Sequence, residues 1–146
     1  MPATKSITCR YLAYRLGGQQ HSRVIRLPLV QVNLRHGDRE ISTVALVDSG
    51  STSTFLPSEF IDILGLTNLR RSTAVGAGGS FSTHVGKLDL LQVSKGTPFD
   101  AFRQVTVHIP EVAGAIPYTV LGRDTIIRHF DITFHERRQK ITFTQL

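Results

Sequence analysis

The chain has no tryptophan, one cysteine, one methionine and, before Asp38, no acidic residue at all. Each scarcity removes a class of protein. The lone Cys9 rules out an internal disulfide, and six scattered histidines offer no closely spaced set of metal ligands, so neither a metal nor a cofactor is expected. No apolar run approaches the roughly 20 residues of a membrane-spanning helix, and the opening residues lack a secretory-type apolar core. An acid-poor, Arg-containing start is also the composition of an organelle transit peptide, but its alternation of apolar and polar residues is that of a strand. A cytoplasmic location with no membrane association is the resulting expectation. Low-complexity linkers and composition breaks are missing too, so residues 1–146 are read as one domain, large enough to bury its own core.

What is present begins with charge. The formal net charge is +6, and Lys5, Arg10, Arg15, Arg23, Arg26, Arg35 and Arg39 precede or flank only Asp38 and Glu40. A basic surface steers acidic partners or nucleic acid toward itself. Here the basic residues are interspersed with apolar ones, and no nucleic-acid-binding motif accompanies them. A solvated basic face is the better reading, and nucleic acid is not an expected partner.

Period-two patterns dominate. Ile7 to Leu16 is β-rich, and Gly17-Gly18 breaks it. Val30, Val32 and Leu34 then alternate with Gln31, Asn33 and Arg35, and His36-Gly-Asp-Arg39 turns the chain into a second arm, Ile41 to Val47. Pro57 to Gly65 carries Phe60, Ile63 and Leu64 at helical spacing, with a proline near its start and a glycine just past its end. Ser72 to Val75, Gly76-Ala-Gly-Gly79 and Phe81 to Val93 form a long hairpin with a glycine-rich tip. Lys95-Gly-Thr-Pro98 is a turn, Val105, Val107 and Ile109 a strand, and Tyr118 to Leu121 an apolar strand end. Asp124 is the expected N-cap of a following short helix. Ile132 and Phe134, the charged turn His135 to Lys140, and Ile141 and Phe143 make a closing hairpin. The class is all-β with one or two short helices.

Within this pattern Ala45-Leu-Val-Asp-Ser-Gly-Ser51 delivers one carboxylate, Asp48, to the end of a buried strand, where it is costly unless hydrogen bonds or function offset it. A glycine-rich hairpin and a late Val120-Leu121-Gly122-Arg123-Asp124 segment follow. In order and spacing these three features resemble the retropepsin-like aspartic proteases over residues 24 to 146. The resemblance implies a closed acid-protease barrel. It implies Asp48, Ser49 and Gly50 as the catalytic triplet, with Ser49 bonding across a dimer axis. Val75, Gly76, Ala77, Gly78, Gly79, Ser80 and Phe81 become a flap, Ser51, Val120 and Leu121 line the substrate site, and Gly122, Arg123 and Asp124 support it. The Ser51 hydroxyl is expected to donate to the Asp48 carboxylate and favour its ionised form. In one respect the chain departs from the retroviral members: Thr52 stands where they commonly carry an acidic residue paired with the Arg of the Gly-Arg segment. Residues 1–23, read as a strand, have no obvious counterpart.

Two other chemistries compete. Subtilisin-like serine proteases also place Asp-Ser/Thr-Gly before a His motif, and Ser82-Thr-His-Val-Gly86 follows Asp48, but Ser94 is the only later serine and lacks that family's surroundings. Gly76-Ala-Gly-Gly79 lacks the lysine and hydroxyl residue of a phosphate loop. The aspartic route needs two carboxylates around one water, and this chain has one Asp-Ser-Gly. A homodimer acting on peptide or protein substrate is therefore expected, without cofactor, as an aspartic endopeptidase. The alternative is a retropepsin-like domain that binds peptides or dimerises with little proteolysis.

Overall fold

A computed structural model describes residues 3–16, 23–94, 99–124 and 126–145, the side chain of Leu16 excepted. The expected turns at Gly17-Gly18 and Lys95 to Pro98 lie outside the described residues. Strands follow the apolar alternation of the sequence: β1 (Lys5–Arg10), β2 (Leu12–Leu16), β3 (Arg23–Leu27), β4 (Leu29–His36), β5 (Arg39–Val47), β6 (Arg70–Gly76), β7 (Gly79–Val93), β8 (Phe102–Pro110), β9 (Thr119–Leu121), β10 (Phe130–His135) and β11 (Lys140–Gln145). Among the described residues there is one α-helix, α1 (Phe60–Leu64), between β5 and β6.

The largest sheet runs β6-β7-β4-β5-β9, with β8 also paired to β7; β1-β11-β10 and β2-β3 are separate sheets. Neighbours are antiparallel except β5 and β9, where Leu46 faces Val120 and Val47 faces Leu121 in parallel register. Both strands therefore end on the same side of the sheet, and that end carries Asp48. Leu34, Leu88, Leu91, Val107 and Leu121 are wholly buried in the core, each such aliphatic side chain contributing about 2 kcal/mol relative to exposure.

The all-β class is as expected, but the barrel is not closed by strands. Among the described residues, only Phe55 crosses between β9 and β8, as an isolated bridge to Val120 on one side and His108 on the other. The reason is the shortness of β9, which stops where the Ser53 backbone presses on Gly122. Asn33, read as a solvent-facing position, is 7% exposed; its amide donates to the Glu40 carboxylate and its oxygen accepts from the Ser42 hydroxyl at 3.3 Å, which satisfies a buried polar group. In α1, Phe60 and Leu64 are buried as the spacing predicts, whereas Ile63 is 45% exposed. A helix little longer than one turn has only a narrow buried face. Gly65 ends it in the left-handed conformation, at φ 62°.

The turn at Gly37-Asp38, the Ala77-Gly78 tip and the β10–β11 hairpin are where the sequence places them. A short helix capped by Asp124 does not form. A single 3-10 turn, Ile127–His129, stands there instead; it starts at Ile126, two residues past Asp124, and has no side-chain cap.

Candidate active site

Asp48 is half-buried and follows β5 directly. Its backbone N–H donates to the Leu121 carbonyl (3.2 Å) and its carbonyl accepts from the Ser51 N–H (3.1 Å), so residues 48–51 form a tight turn hung from the end of β9. That turn aims the Gly50 N–H at the carboxylate, which accepts it at Oδ1 over 2.9 Å. Ser49 and Gly50 are exposed beside it.

Ser51 does not donate to Asp48. Its hydroxyl bonds the Ser53 carbonyl at 2.7 Å. A hydroxyl has one proton to give, and the turn brings the carbonyl two residues on within reach while the carboxylate faces Gly50.

Residues 51–54 are then laced to residues 122–124. Arg123 N–H donates to Ser51 O (2.9 Å) and Asp124 N–H to Thr52 O (3.0 Å). Fully buried Thr54 accepts from Gly122 N–H at 3.2 Å and donates to Asp124 Oδ1 at 3.4 Å. Thr52 thus meets the Gly-Arg-Asp segment through its backbone, and the Arg123 side chain is exposed. Gly122 has to be glycine: a Cβ there would lie 2.1 Å from Ser53 O and 2.3 Å from Ser53 C. Leu121, grouped with Val120 as a substrate contact, is wholly buried, and it is its carbonyl that holds Asp48.

Beyond the turn, Phe55 is bonded on both sides. It exchanges N–H···O bonds with Val120 at 2.9 Å, while Leu56 N–H reaches His108 O and His108 N–H reaches Thr54 O, each at 2.9 Å. Rings gather there: Phe55 lies 5.5 Å from His108 and 6.2 Å from Phe81 of β7, so the glycine-tipped hairpin touches the Asp48 loop through aromatic side chains. Burial pushes the His108 imidazole below its usual pKa, with Arg70 adding to that and Asp124 opposing it. The tip itself, residues 75–80, is exposed, and Val75 leaves 81% of its surface in water.

On the other flank Tyr118 stands one residue before β9. Its phenol is pushed up by burial, then by Tyr14 and by the Asp48 charge. Tyr14 of β2 meets it edge-on, with centroids 5.3 Å apart and planes at 80°. Sequence reasoning missed Tyr14, Thr54, Phe55, His108 and Tyr118. Only Tyr118 carried a local signal, standing two positions before Val120 in a period-two segment.

The serine-protease arrangement is absent. His84 lies 3.6 Å from Glu111, which also pairs with Arg71 at 2.8 Å. Ser94 is ten residues further along and just past the same strand, on the order of 30 Å away at the usual rise per residue. Among the described residues no group of three or more His, Cys, Asp or Glu could hold a metal ion, and no helix is long and apolar enough to cross a membrane.

The profile of the aspartyl protease family matches residues 30–125, from β4 through Asp124. No curated protein matches the chain. Among solved structures, a retropepsin-like aspartic protease from Rickettsia conorii superposes with a TM-score of 0.58 at 15% identity, over 99% of this chain and 97% of that one. The EIAV protease in complex with the inhibitor HBY-793 superposes with a TM-score of 0.53 at 20% identity, over 68% of this chain and 84% of that one. The chain belongs to the aspartyl protease family and has the retropepsin-like fold.

Proposed function

We propose that the protein is an aspartic endopeptidase that hydrolyses extended polypeptide with a water held between Asp48 and the Asp48 of a second copy. The observation that carries this reading is the Asp48 carboxylate itself, half-exposed, fixed by the Gly50 N–H and set on a loop laced to residues 122–124. A group held in place before substrate arrives needs little reorganisation at the moment of reaction.

One carboxylate is not enough. One must take the proton of the attacking water while another protonates the leaving nitrogen. Asp124 is tied to the loop by its N–H, which donates to Thr52 O, and its carboxylate accepts from the Thr54 hydroxyl. A two-fold axis supplies the missing group by presenting the same turn twice. Two carboxylates so close share one proton, and their titration belongs to the pair.

The β6–β7 tip would close over a peptide added as a strand, with side-chain pockets at alternate positions. Exposed Val75 is an apolar side chain whose burial against bound peptide would favour closure.

The test compares wild type with Asp48→Asn on an unfolded protein substrate from acidic to neutral pH, with solution mass measured in parallel. Cleavage is expected from wild type, only in its dimeric form, and none from the variant. Cleavage by a strictly monomeric species, or equal cleavage by both proteins, would overturn the mechanism. Asp48-independent peptide binding with no cleavage would make the domain a binding module.

A further inference from the structure

A cavity of about 470 Å³ opens at the base of the β6–β7 hairpin, apart from the Asp48 turn. Strand register builds it. Arg70 stands opposite Val85, and Lys87 opposite Thr106. Because alternate residues of a strand share a face, Val85, Lys87 and Asp89 line up on one side of β7. The β7–β8 ladder pairs Leu88 with Val105 and Leu90 with Arg103 but skips Asp89 and Gln104 between them. There Gln104 adopts φ 51°, a region unfavourable for a residue with a side chain. Strained backbone of this kind gathers at ligand sites more than elsewhere.

The charges of the cavity do not cancel. Asp89 is already satisfied: its carboxylate accepts the Gly37 N–H at 2.7 Å and a hydrogen bond from the Gln104 side chain, and chiefly the Gly37 bond holds it below the usual carboxylate range. His36 spends Nδ1 on the Leu64 carbonyl, 3.2 Å away. Arg70 and Lys87, both exposed, form no ion pair among the described residues. Two cations without an ion-pair partner therefore face one cavity that holds a single carboxylate, beside the Gln104 amide, which gives one N–H to Asp89 and has a second to donate.

We propose that this cavity binds the carboxylates of an acidic polypeptide segment, held by the Arg70 guanidinium, the Lys87 ammonium and the Gln104 amide. A guanidinium grips a carboxylate with two parallel N–H bonds, and Lys87 adds a point charge one strand away. The volume suits a few side chains rather than a single ion. Across the sheet Arg70 stands opposite Val85 and Val85 opposite His108, whose ring lies 5.5 Å from that of Phe55 in the Asp48 loop, tilted by 42°. The cavity thus flanks the aromatic side of the candidate active site, where a segment of a protein substrate outside the cleft would be anchored. Binding here does not depend on proteolysis, so the two readings fail separately.

Titration calorimetry with a blocked tri-glutamate peptide, a tri-glutamine control and inorganic phosphate tests this on the full chain. The proteins are wild type, Arg70→Gln/Lys87→Gln and, as a control on the basic surface elsewhere, Arg23→Gln/Arg26→Gln. Tri-glutamate should bind wild type and the control variant alike, and bind the Arg70/Lys87 variant about tenfold or more weakly, the loss expected when hydrogen bonds to a charged group are removed. Tri-glutamine should not bind, and phosphate should bind more weakly than the peptide. Unchanged tri-glutamate affinity in the Arg70/Lys87 variant overturns the proposal, and so does an equal loss in the control, which would reveal a diffuse basic surface. Phosphate binding as tightly as tri-glutamate would replace the polypeptide by a small anion. Matching thermal midpoints confirm that both variants are folded.

Discussion

Gly122 and Asp48 are seventy-four positions apart in sequence, yet the first decides where the second points. The Asp48 turn hangs from β9 and is pinned from behind by residues 51–54, whose backbone lies against Gly122. Gly122→Ala would put a methyl 2.1 Å from Ser53 O, and the obstacle is backbone, so relief requires residues 51–54 to move. The expected cost is about 2–4 kcal/mol, measured as a lower urea midpoint, with cleavage lost although Asp48 is intact. A variant as stable and active as wild type would show that the crossing is looser than its geometry. Asp48-Ser49-Gly50 was legible in the sequence because the motif is three adjacent residues. The acceptor of the Ser51 hydroxyl was not, because two oxygens compete for one proton and the path of the loop, set by residues 122–124, chooses between them.

Among the elements, the hairpins were legible and their partners were not. His36 to Arg39 and Gly76 to Gly79 announce themselves by local turn chemistry, whereas the contact of β2 with the site joins residues more than a hundred positions apart. Alternation read Ile7 to Leu16 as one strand; it is two, with Tyr11 between them. The consequence is that Tyr14 braces Tyr118, and Tyr118 stands close enough to Asp48 to feel its charge. An edge-to-face pair contributes about 0.5–1.5 kcal/mol. Tyr14→Ala should therefore raise the KM for a peptide substrate by about threefold to tenfold and leave kcat nearly unchanged. Tyr14→Phe keeps the ring and should behave as wild type. Steady-state kinetics on the three proteins separates the cases; a fall in kcat alone would mean that the β2–β3 hairpin acts on the chemistry instead of on the wall of the cleft.

For the molecule as a whole, the sequence motifs revealed the family and its order of elements, but not how the two ends of the chain are joined. All six residues of β1 pair with β11, and Tyr11 fastens the corner: it is 1% exposed, its N–H donates to Gln139 O at 2.8 Å, and its hydroxyl donates to Glu136 at 2.9 Å. Burial first, then that bond and the Glu136 charge, push its phenol from 10.0 up to about 12. The sign follows from which state keeps the proton. Below the unfolded value both states are protonated and stability is insensitive to this group. Between the two values the unfolded chain has lost the proton and the folded one has not, so stability falls as pH rises through that window. Tyr11→Phe removes the titrating group. It should cost about 1 kcal/mol at neutral pH through the lost hydrogen bond, while flattening the alkaline decline. Urea denaturation of both proteins at several pH values from neutral into that window measures the slope, and an equally steep decline in the variant would assign the alkaline loss to other groups. A shallower decline would show that the join between the two ends limits alkaline stability, because Tyr11 sits where β1 leaves the sheet and β2 departs toward the candidate site.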